Sequence, residues 1–289
     1  MKLGVICDGI SQDLGEAVTV MDACALEFAE LQFVGGKEVG DHSPAEITAI
    51  DQRLRDHGKQ VSCLSRHVFA GLTTEDRPGS AAHQKHMEAL QRVLAMAQRL
   101  DAPFVRIMTN RKEQVLWGFN GAEKWNVAHG AWDRTLAIIA PAVRLARAEG
   151  IKLAVETGIG TMVNSAYTAR RLIDDLEARD WLQVLWDPCN SCWCHERAWP
   201  DGYQQLRDGY LGHLHIKDVR VDTPRARLTV APLGEGQLAD QLSPLAAALR
   251  RDGYDGVISL EPVYHAGDGD FQAGFRSNIA RFKAYFGQG

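Results

Sequence analysis

The sequence predicts a single-domain α/β protein, a (β/α)8 barrel spanning residues 1–289. Eight short apolar runs alternate with longer stretches of helical periodicity along the whole chain. No composition break or low-complexity linker divides it. The first run is followed by CDGIS, which is not the glycine fingerprint of a doubly wound open sheet.

The runs are KLGVIC (2–7), AELQFV (29–34), QVSCLS (60–65), PFVRIM (103–108), KLAVE (152–156), LQVLWD (182–187), LGHLHIK (211–217) and GVISLE (256–261). Several are apolar almost throughout, as parallel strands buried on both faces require. Between the second and third runs, Ser43 is placed as an N-cap, Pro44 at the first helical turn and Glu46 at the capping-box position, with a stop at Gly58. Residues 80–101 put Met87, Leu90, Leu94, Ala97 and Leu100 near one face. A helix over 131–149 ends at Gly150 and is expected to kink or restart at Pro141. Helices at 167–180, near 200–208, at 242–253 and at 271–287 complete the pattern, with a weakly marked first one near 14–27. The stretches 109–128, 188–199 and 218–237 read as irregular and follow the fourth, sixth and seventh strands. In a barrel those loops lie at the catalytic end.

Bulk properties narrow the function. The chain is 45% hydrophobic and 24% charged with a formal charge of -5, which gives nucleic acid or an anionic membrane no basic face to meet. The opening MKLGVICDGI is too short in its apolar run for a signal peptide, and no stretch approaches the roughly 18 apolar residues of a membrane span. A cytoplasmic location with reduced cysteines is the expectation.

Chemistry in such a barrel is carried at the C-terminal strand ends. The last four strands each bring a group able to bind metal: Glu156 (AVET), Asp187 (LWDP), His215 (HLHIKD) and Glu261 (SLEP). A single carboxylate there is more often structural. Three converging on one pore repel one another, and a divalent cation relieves that repulsion. Oxygen ligands with one imidazole suit Mn2+, Mg2+ or Co2+, and Zn2+ stays open. Alternation puts His213, His215 and Lys217 on one face, with His215 nearer the mouth, so His215 is the expected ligand and His213 its deeper neighbour. Lys217 is expected to touch substrate, or to pair with Asp218 or another loop acid. Substrate-wall candidates are His67, Arg106, Asn190 and Trp117, with Glu30, Asn110 and Trp125 beside them. Glu30 is the expected partner of a buried Arg106. Gly118 and Gly121 suit the stretch 109–128 to a lid.

The motifs AVET, LWDPCN, HLHIKD, GEG (234–236) and ISLEP together resemble the xylose isomerase-like TIM barrel superfamily. More narrowly, they resemble its sugar-phosphate isomerase/epimerase group, in the same strand order over nearly the whole chain. The resemblance implies one divalent ion, Mn2+ foremost, on Glu156, Asp187, His215 and Glu261, with Glu156 and Glu261 moving protons. It also suggests a homodimer. Two positions depart from the ketose 3-epimerases. Asn190 stands where they carry a histidine, and Val221 where they carry an arginine.

CNSCWCH (189–195) crowds Cys189, Cys192, Cys194 and His195 together, and no second ligand pair follows. These side chains are expected to pack the loop beside the site rather than hold zinc. The sequence therefore points to a metal-dependent isomerase or epimerase of a small carbohydrate or polyol, working through proton abstraction and an enediolate. The alternative is a dehydratase of a keto-inositol or keto-acid. An endonuclease-like member would need more histidines and a basic face. A binding protein that had lost its chemistry would have no use for Glu156 and Glu261.

Overall fold

The computed structural model describes residues 1–112, 130–225, 227–267 and 269–287. Eight parallel strands close into a barrel in sequence order: β1 (Lys2–Ile6), β2 (Phe28–Leu31), β3 (Gln60–Val68), β4 (Phe104–Ile107), β5 (Lys152–Glu156), β6 (Leu182–Trp186), β7 (Leu211–Ile216) and β8 (Val257–Leu260). β8 pairs with β1 and seals the cylinder. β7 is buried at all six positions and β8 at all four, which explains their near-continuous apolar spelling.

The helices alternate with these strands: α1 (Leu14–Ala23), α2 (Pro44–Asp56), α3 (Ala81–Arg99), α4 (Ala131–Glu149), α5 (Ala166–Asp175), α6 (Pro188–Ser191), α7 (Tyr203–Leu206), α8 (Leu242–Arg251) and α9 (Phe271–Phe286). α2 starts at the predicted capping box: the Ser43 hydroxyl accepts from the Glu46 amide, and the Glu46 carboxylate accepts from the Ser43 amide. α4 runs through Pro141 without a break, contrary to the expected restart, and stops at Gly150, whose φ of +71° a glycine adopts without strain.

Leu90, Leu94, Val105, Ile107, Ile138 and Leu153 belong to the core between sheet and helices. Fully burying each such side chain stabilises by about 1.5–3 kcal/mol. A second, small cluster of Cys63, Ala154 and Leu185, with Phe104 against it, comes from three barrel strands. Side chains two positions further along these strands are Ser65, Glu156 and Asp187, so the pore turns from apolar to polar within one layer.

Two antiparallel ribbons rise above the barrel, Phe33–Val34 with Lys37–Glu38 and Asp218–Asp222 with Arg227–Ala231. The second corrects the expectation of an irregular stretch over 218–237. Its anchor is Asp218, whose buried carboxylate accepts from the amides of Val219, Gly234, Gly236 and Leu238. The GEG motif follows from this: a Cβ on Gly236 would collide with the Asp218 carboxylate and the Val219 carbonyl. Among the described residues, no helix is long and apolar enough to cross a membrane.

Candidate metal centre

Glu156 ends β5, Asp187 follows β6, and His215 and Lys217 lie at the end of β7. Glu261 follows β8, and its amide donates to the Ile216 carbonyl. Barrel closure brings these groups from four strands to one rim.

His215 sits at the centre, fully buried. Its Nε2 lies 2.8 Å from Glu30 Oε1, so the ring turns Nδ1 the other way, 3.5 Å from Glu156 Oε1 and 3.8 Å from Glu261 Oε2. Glu156, Asp187 and His215 each offer an atom within 4.8 Å of the others. Asp187 commits one oxygen to its loop, Oδ1 accepting from the amides of Cys189 (2.9 Å) and Asn190 (3.2 Å). It thereby caps α6, a cap that LWDPCN encodes with Pro188 at the first turn. Its Oδ2 faces Lys217 Nζ at 2.6 Å, an ion pair without hydrogen-bond alignment. Lys217 Nζ also donates to Glu261 Oε2 at 2.8 Å. The lysine therefore pairs with two rim carboxylates rather than with Asp218, which is saturated by amides.

The electrostatics follow from burial and pairing. Burial works against the charge on Glu156, but Arg106 and then His215 outweigh it and bring the carboxyl down to about 2. Burial pushes Asp187 up, to about 6, with Lys217 offsetting only part of it. Glu30 is held well below the usual range because His215 and His213 overcome its burial, and His215 is raised well above its ordinary value by Glu30 and Glu156.

Other predicted residues fall around this centre. Arg106 pairs with Glu156, not with Glu30: Nη1 donates to Glu156 Oε2 at 2.9 Å and Nη2 to the Ser65 carbonyl at 2.8 Å. Asn190 donates to the Thr157 carbonyl at 2.9 Å and so ties the loop after β6 to the loop after β5. His67, half-exposed at the end of β3, has its Nδ1 and its amide on Glu38, each at 2.8 Å. Trp117, Trp125, Gly118 and Gly121 lie outside the described residues. Cys189 and Cys192 neighbour each other, and each thiol of the loop meets a carbonyl: Cys189 Sγ that of Lys217, Cys192 that of Pro188 and Cys194 that of Ser191. His195 is exposed.

The sequence reading missed the role of Glu30. It receives His213 Nε2 at 2.7 Å, His215 Nε2 at 2.8 Å and the Ser65 hydroxyl. A fully buried glutamate in an apolar run, opposite a strand carrying two histidines, was the available signal. A register shift between β2 and β3 at Ala29/Glu30 marks the place.

The donor set fits a divalent cation. His215 Nδ1 is buried without a hydrogen-bond partner and is turned toward two carboxylates by its bond to Glu30, the usual outer partner of a ligating imidazole. Three carboxylates and one imidazole suit a hard or borderline ion.

Comparison with curated protein sequences gives no match. Among solved structures, the chain superposes on D-psicose 3-epimerase in the presence of D-fructose with a TM-score of 0.73, at 18% identity over 100% of both chains. It superposes on the IOLI protein with a bound zinc atom with a TM-score of 0.71, at 17% identity over 100% of both chains. For the probable 3-DHS dehydratase AsbF of Bacillus anthracis the TM-score is 0.68, at 16% identity over 96% of this chain and 98% of that one. A sequence model of one family matches residues 20–285, and on that match the chain belongs to the xylose isomerase-like TIM barrel family.

Proposed function

We propose that this chain is a divalent-metal-dependent isomerase or epimerase of a sugar, keto-sugar or related polyol, acting through proton abstraction and an enediolate. One observation carries the reading: two carboxylates from different strand ends, Glu156 and Glu261, flank the Nδ1 atom of one buried histidine. Glu156, Asp187, His215 and Glu261 would hold the ion, Mn2+ foremost, with Mg2+, Co2+ and Zn2+ as the other candidates. Such an ion supplies a Lewis acid that stabilises negative charge on a substrate oxygen.

The two glutamates have different partners and therefore different tasks. Arg106 cannot give up its proton, so it keeps Glu156 an anion, ready to accept a proton from a substrate carbon. Glu261 is bonded to the Lys217 ammonium instead, and the proton that it returns to carbon is taken up from solvent. Glu156 is assigned the abstraction and Glu261 the return. Return to the same carbon from the opposite face gives an epimer, and return to the neighbouring carbon gives an isomer. His67 and Lys217 are assigned direct contact with substrate. Arg106 and Asn190 serve it through the groups they hold, and Trp117 is retained as a wall candidate.

The contact of Lys217 with Glu261 also favours a second reading, a dehydratase of a keto-inositol or keto-acid. An acid at that point can protonate a leaving β-hydroxyl. Similarity to both epimerase and dehydratase structures supports the fold common to the two readings.

The test is a panel of ketoses, aldoses, keto-inositols and keto-acids in D2O with Mn2+, read by NMR. Carbon-bound deuterium without loss of water is expected. An enone or diketone product would select the dehydratase. Glu156→Gln and Glu261→Gln should each slow exchange by about 10²–10⁴-fold, and wild-type exchange in either removes that residue from proton transfer.

A further inference from the structure

Lys217 occupies an unusual position. Its side chain leaves β7 two residues beyond His215, on the same face, and its carbonyl is met by Cys189 Sγ at 3.0 Å. Its ammonium lies 2.6 Å from Asp187 Oδ2 and 2.8 Å from Glu261 Oε2. These are the oxygens that matter for a cation. Asp187 Oδ1 already accepts two amides, so Oδ2 is the atom it has left to offer. Glu261 Oε2 is the atom nearest His215 Nδ1, at 3.8 Å. The lysine is thus paired with the oxygens of two of the four candidate ligands. Only Glu156 and His215 are outside its reach, and Glu156 has a cation of its own in Arg106.

The sign of the consequence follows from Coulomb's law in a buried setting. A positive charge on ligand oxygens repels an incoming metal ion and draws on the same lone pairs. The same charge also relieves repulsion between Asp187 and Glu261. Metal and ammonium therefore compete for these two carboxylates, and each weakens the other's hold by the same factor.

We propose that Lys217 is an exchangeable counter-cation, which shares Asp187 and Glu261 with the metal and sets metal affinity below what the four ligands alone would give. The proposal rests on the metal reading of the site. It goes beyond it by giving one residue opposite effects on two measurable quantities. Replacing Lys217 should tighten metal binding and weaken the metal-free protein together. A lysine that merely orients the ligands predicts that both become worse.

The experiment uses the 289-residue chain and Mn2+ alone, without substrate. Mn2+ affinity is measured by isothermal titration calorimetry for wild type, Lys217→Met and Lys217→Arg, and thermal unfolding is followed in EDTA. Lys217→Met removes the charge and keeps most of the stem. It should bind Mn2+ about tenfold more tightly, the lower end of what changes beside metal ligands produce, and unfold at a lower temperature in EDTA. Lys217→Arg keeps the charge and should stay near wild type in both. Unchanged or weaker Mn2+ binding by Lys217→Met overturns the proposal while leaving the metal site standing. Absence of Mn2+ binding in wild type overturns the metal site and the proposal together. Should Lys217→Met fail to fold, the wild-type protein still decides. The Lys217 Nζ resonance, assigned with Lys217→Arg, must shift on titration with Mg2+, and a resonance that stays fixed at saturation overturns the exchange.

Discussion

At the N-terminal end of the strands, Lys2, Arg55, Lys152, Arg207, Asp208 and Asp255 border an open cavity of about 970 Å3. At the C-terminal end, Glu30, Glu156, Asp187, His215, Lys217 and Glu261 pack into direct contact, four of them buried and the last two nearly so. Both ends hold acids and bases in plenty, yet their surroundings differ. Arg55 and Arg207 remain more than half exposed, and their partners Asp51, Asp101 and Asp208 all reach water, the last two more than the arginines do. Water screens such pairs, and each contributes little. At the upper rim water is excluded, so each charge must be answered by another side chain. One pairing then constrains the next, from Ser65 through Glu30 and His215 to Glu156 and Arg106. Burial and convergence, rather than residue type, separate a candidate site from an ordinary surface.

Substitutions at the two ends should differ accordingly. The largest effect is expected from His215→Ala, which leaves Glu30, Glu156 and Glu261 without their common partner. A loss of about 3–5 kcal/mol in denaturant unfolding is expected, together with loss of Mn2+ binding by calorimetry. A stability change below 1 kcal/mol would mean that the upper rim is as well hydrated as the lower. Next comes Asp218→Ala, which strands four amides at the upper end. It should cost about 3 kcal/mol by the same measurement, and a neutral result would show that water reaches those amides.

A pH series probes the contrast more gently. Asp187 is pushed up to about 6 by burial, and a carboxylate must lose its proton to bind metal. His215, raised well above its ordinary value by Glu30 and Glu156, must likewise free its Nδ1, so Mn2+ affinity should fall from pH 8 downward and more steeply below about 6, as both protons compete. Calorimetry between pH 8 and 5 reads this directly, and a flat profile removes Asp187 from the ligand set. The smallest effect is expected at the lower rim, where Arg207→Gln should change stability by no more than about 0.5 kcal/mol and leave metal affinity unaltered.

The barrel was legible because each strand is an apolar run of about the right length between helices, a signal local in the chain. The metal candidates were legible for the same reason, since Glu156, Asp187, His215 and Glu261 each cap such a run. Partners across the pore were not. Arg106 was matched with Glu30, whereas it reaches Glu156 on the adjacent β5, and Glu30 turns to β7 instead. That choice depends on strand stagger and on the shift at Ala29/Glu30, which no single run encodes. The ribbon over Asp218–Ala231 was also missed. Its two strands are short and bury only three of their ten residues, and the feature that fixes its base is one carboxylate meeting amides as far away as residue 238.

Asp218 has a consequence for how this protein can change over evolutionary time. With its carboxylate stitched to Val219, Gly234, Gly236 and Leu238, it closes the base of the ribbon like a clasp, three residues after His215. Whatever lies between the two halves of the clasp can be lengthened, shortened or respelled without tugging on the histidine below. The fold thus has a stretch in which sequence can drift while the buried rim stays put.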